Sequence, residues 1–269
     1  MWHDAGMAIE PPASSRIAGI ARGLVHLLRL MLDTYPRGFA VIRLVPGFLL
    51  VAAIPEFVQH IAEIRMGMFV SIANAKALSN SALRWDFGYF KLAGLALALI
   101  LVARFWAKGR SWRAALLIPP RVLGHALIAV GVIVGLGLLL APERLALPMP
   151  LDVTRTILSS LIQTGLFAWA VGIVLEDRTL TLRNVFTERF PSAIVITILF
   201  AVGMLPLQVV HGLDHRFALG RPEAIVWALM TWDALLVGVM AMLGGSGIYL
   251  GYASGLTWRG WRPIAGLQR

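Results

Sequence analysis

His60 and His211 are the residues whose types and spacing most suggest chemistry. Each follows a proline at the same interval, and the two segments resemble each other: Val51-Ala-Ala-Ile-Pro55 leads to His60 as Val202-Gly-Met-Leu-Pro206 leads to His211. At the same offset Phe39 matches Phe190, Glu63 matches Asp214 and Arg65 matches Arg216; after a short gap Trp85-Asp86 matches Trp232-Asp233. Two neutral imidazoles brought face to face suit axial ligation of haem iron or binding of a transition metal. The plainer role is a polar ring at a headgroup boundary, wetted or hydrogen-bonded. His60 and His211 are therefore the cofactor-binding candidates, in a haem- or quinone-binding protein.

Charges inside apolar segments are the second signal, because they are costly there and mark packing or a path for ions and solutes. Glu56, Asp233, Asp86 and Lys91 are the candidates for such a path. Glu56 and Arg43 lie about 20 Å apart along one helix, too far to pair. Lys91 is expected to pair with Asp86 on its own helix or to snorkel. Asp233 either fixes a neighbouring helix or lines a route for a proton or solute.

Other chemistry is poorly provided for. The chain has no cysteine, which excludes disulfides and thiolate metal sites. No phosphate-binding Gly-rich loop, His-Glu-x-x-His pair or Gly-x-Ser-x-Gly elbow occurs. The carboxylates read as too scattered for paired acid–base work. The expectation is a protein that is not an enzyme, with no catalytic residue, resident metal or obligatory cofactor.

The elements that must position these residues are long and apolar. The chain of 269 residues is 58% hydrophobic and only 14% charged, against about 25% charged in soluble domains; its mean hydropathy is +0.78. Crossing about 30 Å of hydrocarbon takes roughly 20 apolar residues, and spans are expected at Gly38–His60, Tyr89–Trp106, Val122–Ala141, Ile157–Val174, Ala193–Val210 and Ile225–Leu243. In lipid every backbone polar group must be satisfied within the segment, so spans of this kind are helices. The predicted fold is an all-α polytopic membrane bundle of six spans in three hairpins. It is one domain, with a lead-in at 1–37, the bundle at 38–256 and a tail at 257–269. Pro46, Pro55 and Pro206 should kink their helices. Gly131/Gly135 and Gly247/Gly251 should permit close helix approach, and Gly244-Gly245-Ser246-Gly247 marks the end of the sixth span or a break in it.

A net charge of +10 does not indicate nucleic acid, because the basic residues are spread over loops. They obey topology instead. Arg16, Arg22, Arg29, Arg37, Arg104, Lys108, Arg110, Arg113, Arg121, Arg178, Arg183, Arg189, Arg259, Arg262 and Arg269 fall on one side. Arg65, Lys76, Arg84, Arg144, Arg155, Arg216 and Arg221, about half as many, fall on the other. Both termini are thus expected in the cytoplasm, and a bacterial inner membrane fits best. No basic, apolar and small-residue sequence typical of a cleaved leader opens the chain.

Each outgoing span follows an amphipathic segment. Ile17, Ile20, Leu24, Leu27, Leu28 and Met31 oppose Arg22, His26 and Arg29; Leu182, Val185, Phe186 and Phe190 oppose Arg183 and its polar neighbours; Ser111 to Ile118 is a shorter version ended by Pro119-Pro120. Such helices lie at headgroup level. Arg22, Arg29, Arg110, Arg113 and Arg183 are the residues expected to meet anionic lipid, with Trp112, Trp258 and Trp261 as interfacial anchors.

The segment Leu180-Thr-Leu-Arg-Asn-Val-Phe-Thr-Glu-Arg-Phe190 running into a span, and Gly247-Ile-Tyr-Leu-Gly-Tyr252, resemble bacterial six-span membrane proteins of the YciC and DUF975 type. They also resemble the membrane domain fused to some glycerophosphodiester phosphodiesterases. The resemblance implies a fold and a location; the phosphodiesterase domain has no counterpart here. Three roles follow. The first is an accessory or lipid-organising membrane subunit with lipid and other membrane subunits as partners. The second is a small-solute or lipid transporter using the intramembrane acids, and the third is the haem or quinone protein.

Overall fold

In a computed structural model the chain is a helical bundle, described here for residues 13–141, 148–257 and 260–261; side chains are described from residue 21, and not for Trp261. Ten helices follow in order: α1 Ala13–Leu44, α2 Gly47–Arg65, α3 Ile72–Leu78, α4 Ala82–Ala107, α5 Trp112–Leu116, α6 Pro120–Leu139, α7 Met149–Leu175, α8 Leu182–Val185, α9 Phe190–Ala218 and α10 Glu223–Ser254. A two-stranded antiparallel ribbon, Leu256–Thr257 with Gly260–Trp261, follows α10. Six helices, α2, α4, α6, α7, α9 and α10, are long and apolar enough to cross a membrane. The protein is an all-α polytopic membrane bundle.

α10 is the central post. It packs on α9 most extensively and on α1, α2 and α4, and more than half of its most apolar stretch is buried. Its glycines make this possible. A Cβ on Gly247 would fall 2.3 Å from the Leu199 carbonyl oxygen, and one on Gly251 would fall 2.5 Å from the Ile196 Cα, both on α9. On its other side Gly245 meets Val102 and the Leu99 carbonyl of α4. The Gly244–Gly247 run therefore neither ends nor unwinds the span: α10 continues to Ser254 and stops at Gly255, whose φ of 59° closes the helix in the left-handed region. The close approach expected at Gly131 and Gly135 does not occur, since nothing lies within 4 Å of a Cβ at either. α6 packs chiefly on α7 and turns those glycines outward.

The first span differs from expectation. Gly38–Leu44 belongs to α1, and Pro46, which has no N–H to donate, separates α1 from α2. The spanning helix is Gly47–Arg65. α1 instead packs along α10 and α9, with Gly38 against Leu243 and the Tyr35 hydroxyl donating to the Val202 carbonyl. The segment before α9 is not one amphipathic helix: α8 holds four residues, capped by Thr181 accepting from the Asn184 N–H, and a turn separates it from α9. Ile17, Ile20, Arg16, Arg144, Trp258, Arg259, Trp261, Arg262, Arg269 and most of the 257–269 tail lie outside the described residues or side chains.

At the Trp106 end of the bundle, Arg104 is almost fully buried. Its guanidinium donates to the carbonyls of Ala114, Ala115, Leu117 and Val174 and to Glu176 Oε1, so one side chain ties α4, α5 and the end of α7. Lys108 Nζ also lies 3.0 Å from Glu176 Oε1. Its hydrogen bond, more than that of Arg104, holds the Glu176 carboxyl below the ordinary glutamate range. Glu176 sits at φ 62°, a left-handed conformation unfavourable for a residue with a Cβ; the two cations anchor it there. Arg22, Arg29, Arg110, Arg113 and Arg183 are all exposed, and Arg110 and Arg113 lie over Trp106 and Trp112 respectively.

Candidate functional site

At the opposite end of α4 the polar residues of three other helices converge. α2 presents Glu56, His60 and Glu63 along one face, since residues spaced by three and four share a side of a helix. α9 presents His211 and His215 by the same rule, and α10 contributes Asp233. Glu56, His60, Glu63 and Asp233 are completely buried. The His211 and His215 side chains retain 12% and 23% exposure, so access is from their side.

Asp233 is the hub. His211 Nδ1 lies 2.8 Å from both its oxygens, and His60 Nε2 lies 2.9 Å from Oδ2. His215 Nε2 comes to 3.4 Å of the same oxygen without forming a hydrogen bond. The rings of His60 and His211 are 5.1 and 4.8 Å from that of His215. Among the described residues the partners of Asp233 are imidazoles, with no Lys or Arg. On its far side His60 Nδ1 meets Glu63 Oε2 at 3.2 Å, and Glu63 is fixed by Gln59 Nε2 at 2.7 Å and Arg84 Nε at 2.9 Å. Glu56 Oε1 lies 3.3 Å from His60 Nε2 and accepts from Lys91 Nζ at 2.8 Å, while Glu56 Oε2 is buried with no partner.

Each expected site residue now has a place. His60, His211, Glu56, Asp233 and Lys91 come together; Asp86 does not. It is exposed on α4, and Lys91 pairs with Glu56 across the helix interface instead of with Asp86. Five residues of helix turn two side chains about 140° apart at 3.6 residues per turn, so Asp86 and Lys91 cannot share a face. His60 and His211 do approach one another, but the Asp233 carboxylate stands between them, where a haem would have to lie. The carboxylates are likewise not scattered: Glu56, Glu63 and Asp233 share one buried cluster.

Glu63 and His215 were not singled out from the sequence as members of this cluster. A signal for both existed. His211-x-x-x-His215 puts two imidazoles one turn apart, and Glu56, His60 and Glu63 form a stripe on one helical face.

Two sets of these side chains can each converge on an ion. Glu56, His211, His215 and Asp233 each bring one ligand atom within 4.8 Å of the others, and His60, Glu63 and His215 form a second such group. Beside the cluster, Phe69 packs its ring 5.8 Å from that of His215. Its other surroundings include an open cavity of about 590 Å³ bordered by Arg65, Arg221 and Trp227. The Gly220 N–H donates to the Phe69 carbonyl and ties the two loops at this end together.

Comparison of the chain with protein-family models, with curated proteins and with solved structures finds no match.

Proposed function

We propose that this protein is a membrane carrier for a small cation, with Asp233 and Glu56 as the acids that take it up inside the bundle. The observation that carries this reading is the convergence of α2, α9 and α10 on Asp233, a buried carboxylate surrounded by three imidazoles. Buried intramembrane charge is expensive and is retained where it meets a mobile charge. The cluster is reached from the His215 side. Below it the route is closed by packing: Leu49 of α2 lies against Gly238 of α10, and Phe48, Ala52, Leu101 and Val237 form a continuous apolar core. A site reached from one side and closed on the other suits a carrier.

The accessory-subunit reading has weaker support. It draws on the exposed apolar surface of α6, where Leu123, Leu127 and Leu139 are more than half exposed, but lipid covers such a face equally well. Anionic lipid at Arg22, Arg29, Arg110, Arg113 and Arg183, placement in a bacterial inner membrane and cytoplasmic termini belong to the same proposal.

Reconstitution into vesicles with a trapped cation-sensitive dye tests it. Wild-type protein should dissipate an imposed gradient of H⁺ or of a divalent ion, Asp233→Asn and Glu56→Gln should not, and Asp86→Asn should behave as wild type. Equal flux through wild type and Asp233→Asn would end the carrier reading.

A further inference from the structure

We infer that the Asp233 cluster is a binding site for a divalent transition-metal ion, ligated by Glu56, His211, His215 and Asp233; this rests on the carrier reading for its purpose and deepens it by naming the ion class. Four observations point the same way.

The first is convergence. The four ligand atoms lie within 4.8 Å of one another, supplied by three different helices. Metal–nitrogen and metal–oxygen bonds of about 2.0–2.2 Å at tetrahedral angles place neighbouring ligand atoms ~3.3–3.6 Å apart. His215 Nε2 and Asp233 Oδ2 stand at 3.4 Å, a ligand-to-ligand separation that is not a hydrogen bond.

The second is unmet bonding capacity. Glu56 Oε2 and His215 Nε2 are buried atoms without a hydrogen-bond partner. Both residues belong to the convergent set, and burying such a group unpaired costs about 1–3 kcal/mol. A cation at the centre satisfies both.

The third is charge. Glu56, Glu63 and Asp233 carry three negative charges against Lys91 and Arg84, whose contacts neutralise Glu56 and Glu63. Asp233 is left with imidazoles alone. His60 faces a carboxylate from each ring nitrogen.

The fourth is the support behind the ligands. Ligating carboxylates are themselves hydrogen-bonded from outside the ligand set. His60, held by Glu63, which Arg84 and Gln59 fix in turn, does this for Asp233 Oδ2. Mixed imidazole and carboxylate donors suit Zn²⁺, Mn²⁺ or Fe²⁺, and the absence of thiolate disfavours Cu⁺.

The test uses full-length protein in nanodiscs, stripped with a chelator and then titrated with Zn²⁺. Bound metal is counted by elemental mass spectrometry, and Co²⁺ serves as a coloured stand-in whose visible absorption reports its coordination. Wild type and an exposed-histidine control, His125→Gln, should each bind Zn²⁺ stoichiometrically with the chain and shift unfolding upward. His215→Gln, which removes a nitrogen that holds no hydrogen bond, should weaken binding at least tenfold while unfolding at the wild-type temperature without metal. Asp233→Asn should abolish binding. Zn²⁺ binding that is absent in wild type, or unchanged in both His215→Gln and Asp233→Asn, overturns the site. Binding without vesicle flux would remove the carrier reading and leave the site standing; proton flux by protein that binds no metal would do the reverse.

Discussion

Lys91 Nζ lies 2.8 Å from Glu56 Oε1 across the α2–α4 interface, which ties the N-terminal part of α4 to the helix that carries His60. Glu56 is wholly buried and Lys91 is 20% exposed, so the pair is only partly screened. Close by, Gly94 has room for no side chain: a Cβ there would fall 2.6 Å from the Pro55 ring and 2.8 Å from the Val51 carbonyl oxygen.

Removing Lys91 should therefore destabilise the bundle more than removing both partners. Breaking a buried pair leaves an uncompensated charge and costs about 3–5 kcal/mol; partial exposure of Lys91 reduces this to roughly 1–3 kcal/mol. Lys91→Met should lower the unfolding temperature in nanodiscs, and Lys91→Met with Glu56→Gln should recover most of the loss. Equal loss in the two proteins would show that the contact contributes packing alone.

The glycine contacts of α10 set how closely α9 can approach. Gly247→Ala and Gly251→Ala push a methyl against the α9 backbone, and overpacking of this sort costs typically 1–3 kcal/mol. Gly131→Ala and Gly135→Ala, which open onto free space, should leave the unfolding temperature unchanged. Parallel thermal scans of the four proteins decide this, and equivalent losses at all four sites would contradict the packing described for α10.

Acid should loosen the Trp106 end through Glu176. Lys108 and Arg104 depress its carboxyl, so its stabilising contribution is present above the ordinary glutamate value and is lost as pH falls through the lower folded-state value. Wild type and Glu176→Gln should differ in unfolding temperature at neutral pH and converge in acid. A gap that persists below the folded-state titration would mean that something other than this charge holds the joint.

The absence of cysteine makes the orientation directly measurable. Asn80 and Arg183 are both exposed and lie in segments at opposite ends of α4 and α7. In whole cells an impermeant thiol reagent should label Asn80→Cys and spare Arg183→Cys. The opposite pattern would reverse the orientation drawn from the distribution of basic residues.

What the sequence determined is what depends on composition and period. Long apolar stretches have no stable form in lipid except helices, so the six spans and the all-α class were readable directly, with ends shifted where Pro46 and Gly255 intervene. The spacing within one helix was readable too: Glu56, His60 and Glu63 share a face because of the helical turn, as do His211 and His215. Which helix each stripe faces was not. Spans this uniformly apolar carry little amphipathic signal to fix their rotation, so only the packing of α2, α4 and α9 around α10 could make Asp233 the meeting point. The same packing gave Lys91 to Glu56 and left Asp86 outside. Trp85-Asp86 and Trp232-Asp233 are alike as sequence, yet one aspartate is exposed and the other is buried among three histidines. That difference arises between helices, from close contacts that small glycines permit, and no local pattern records it.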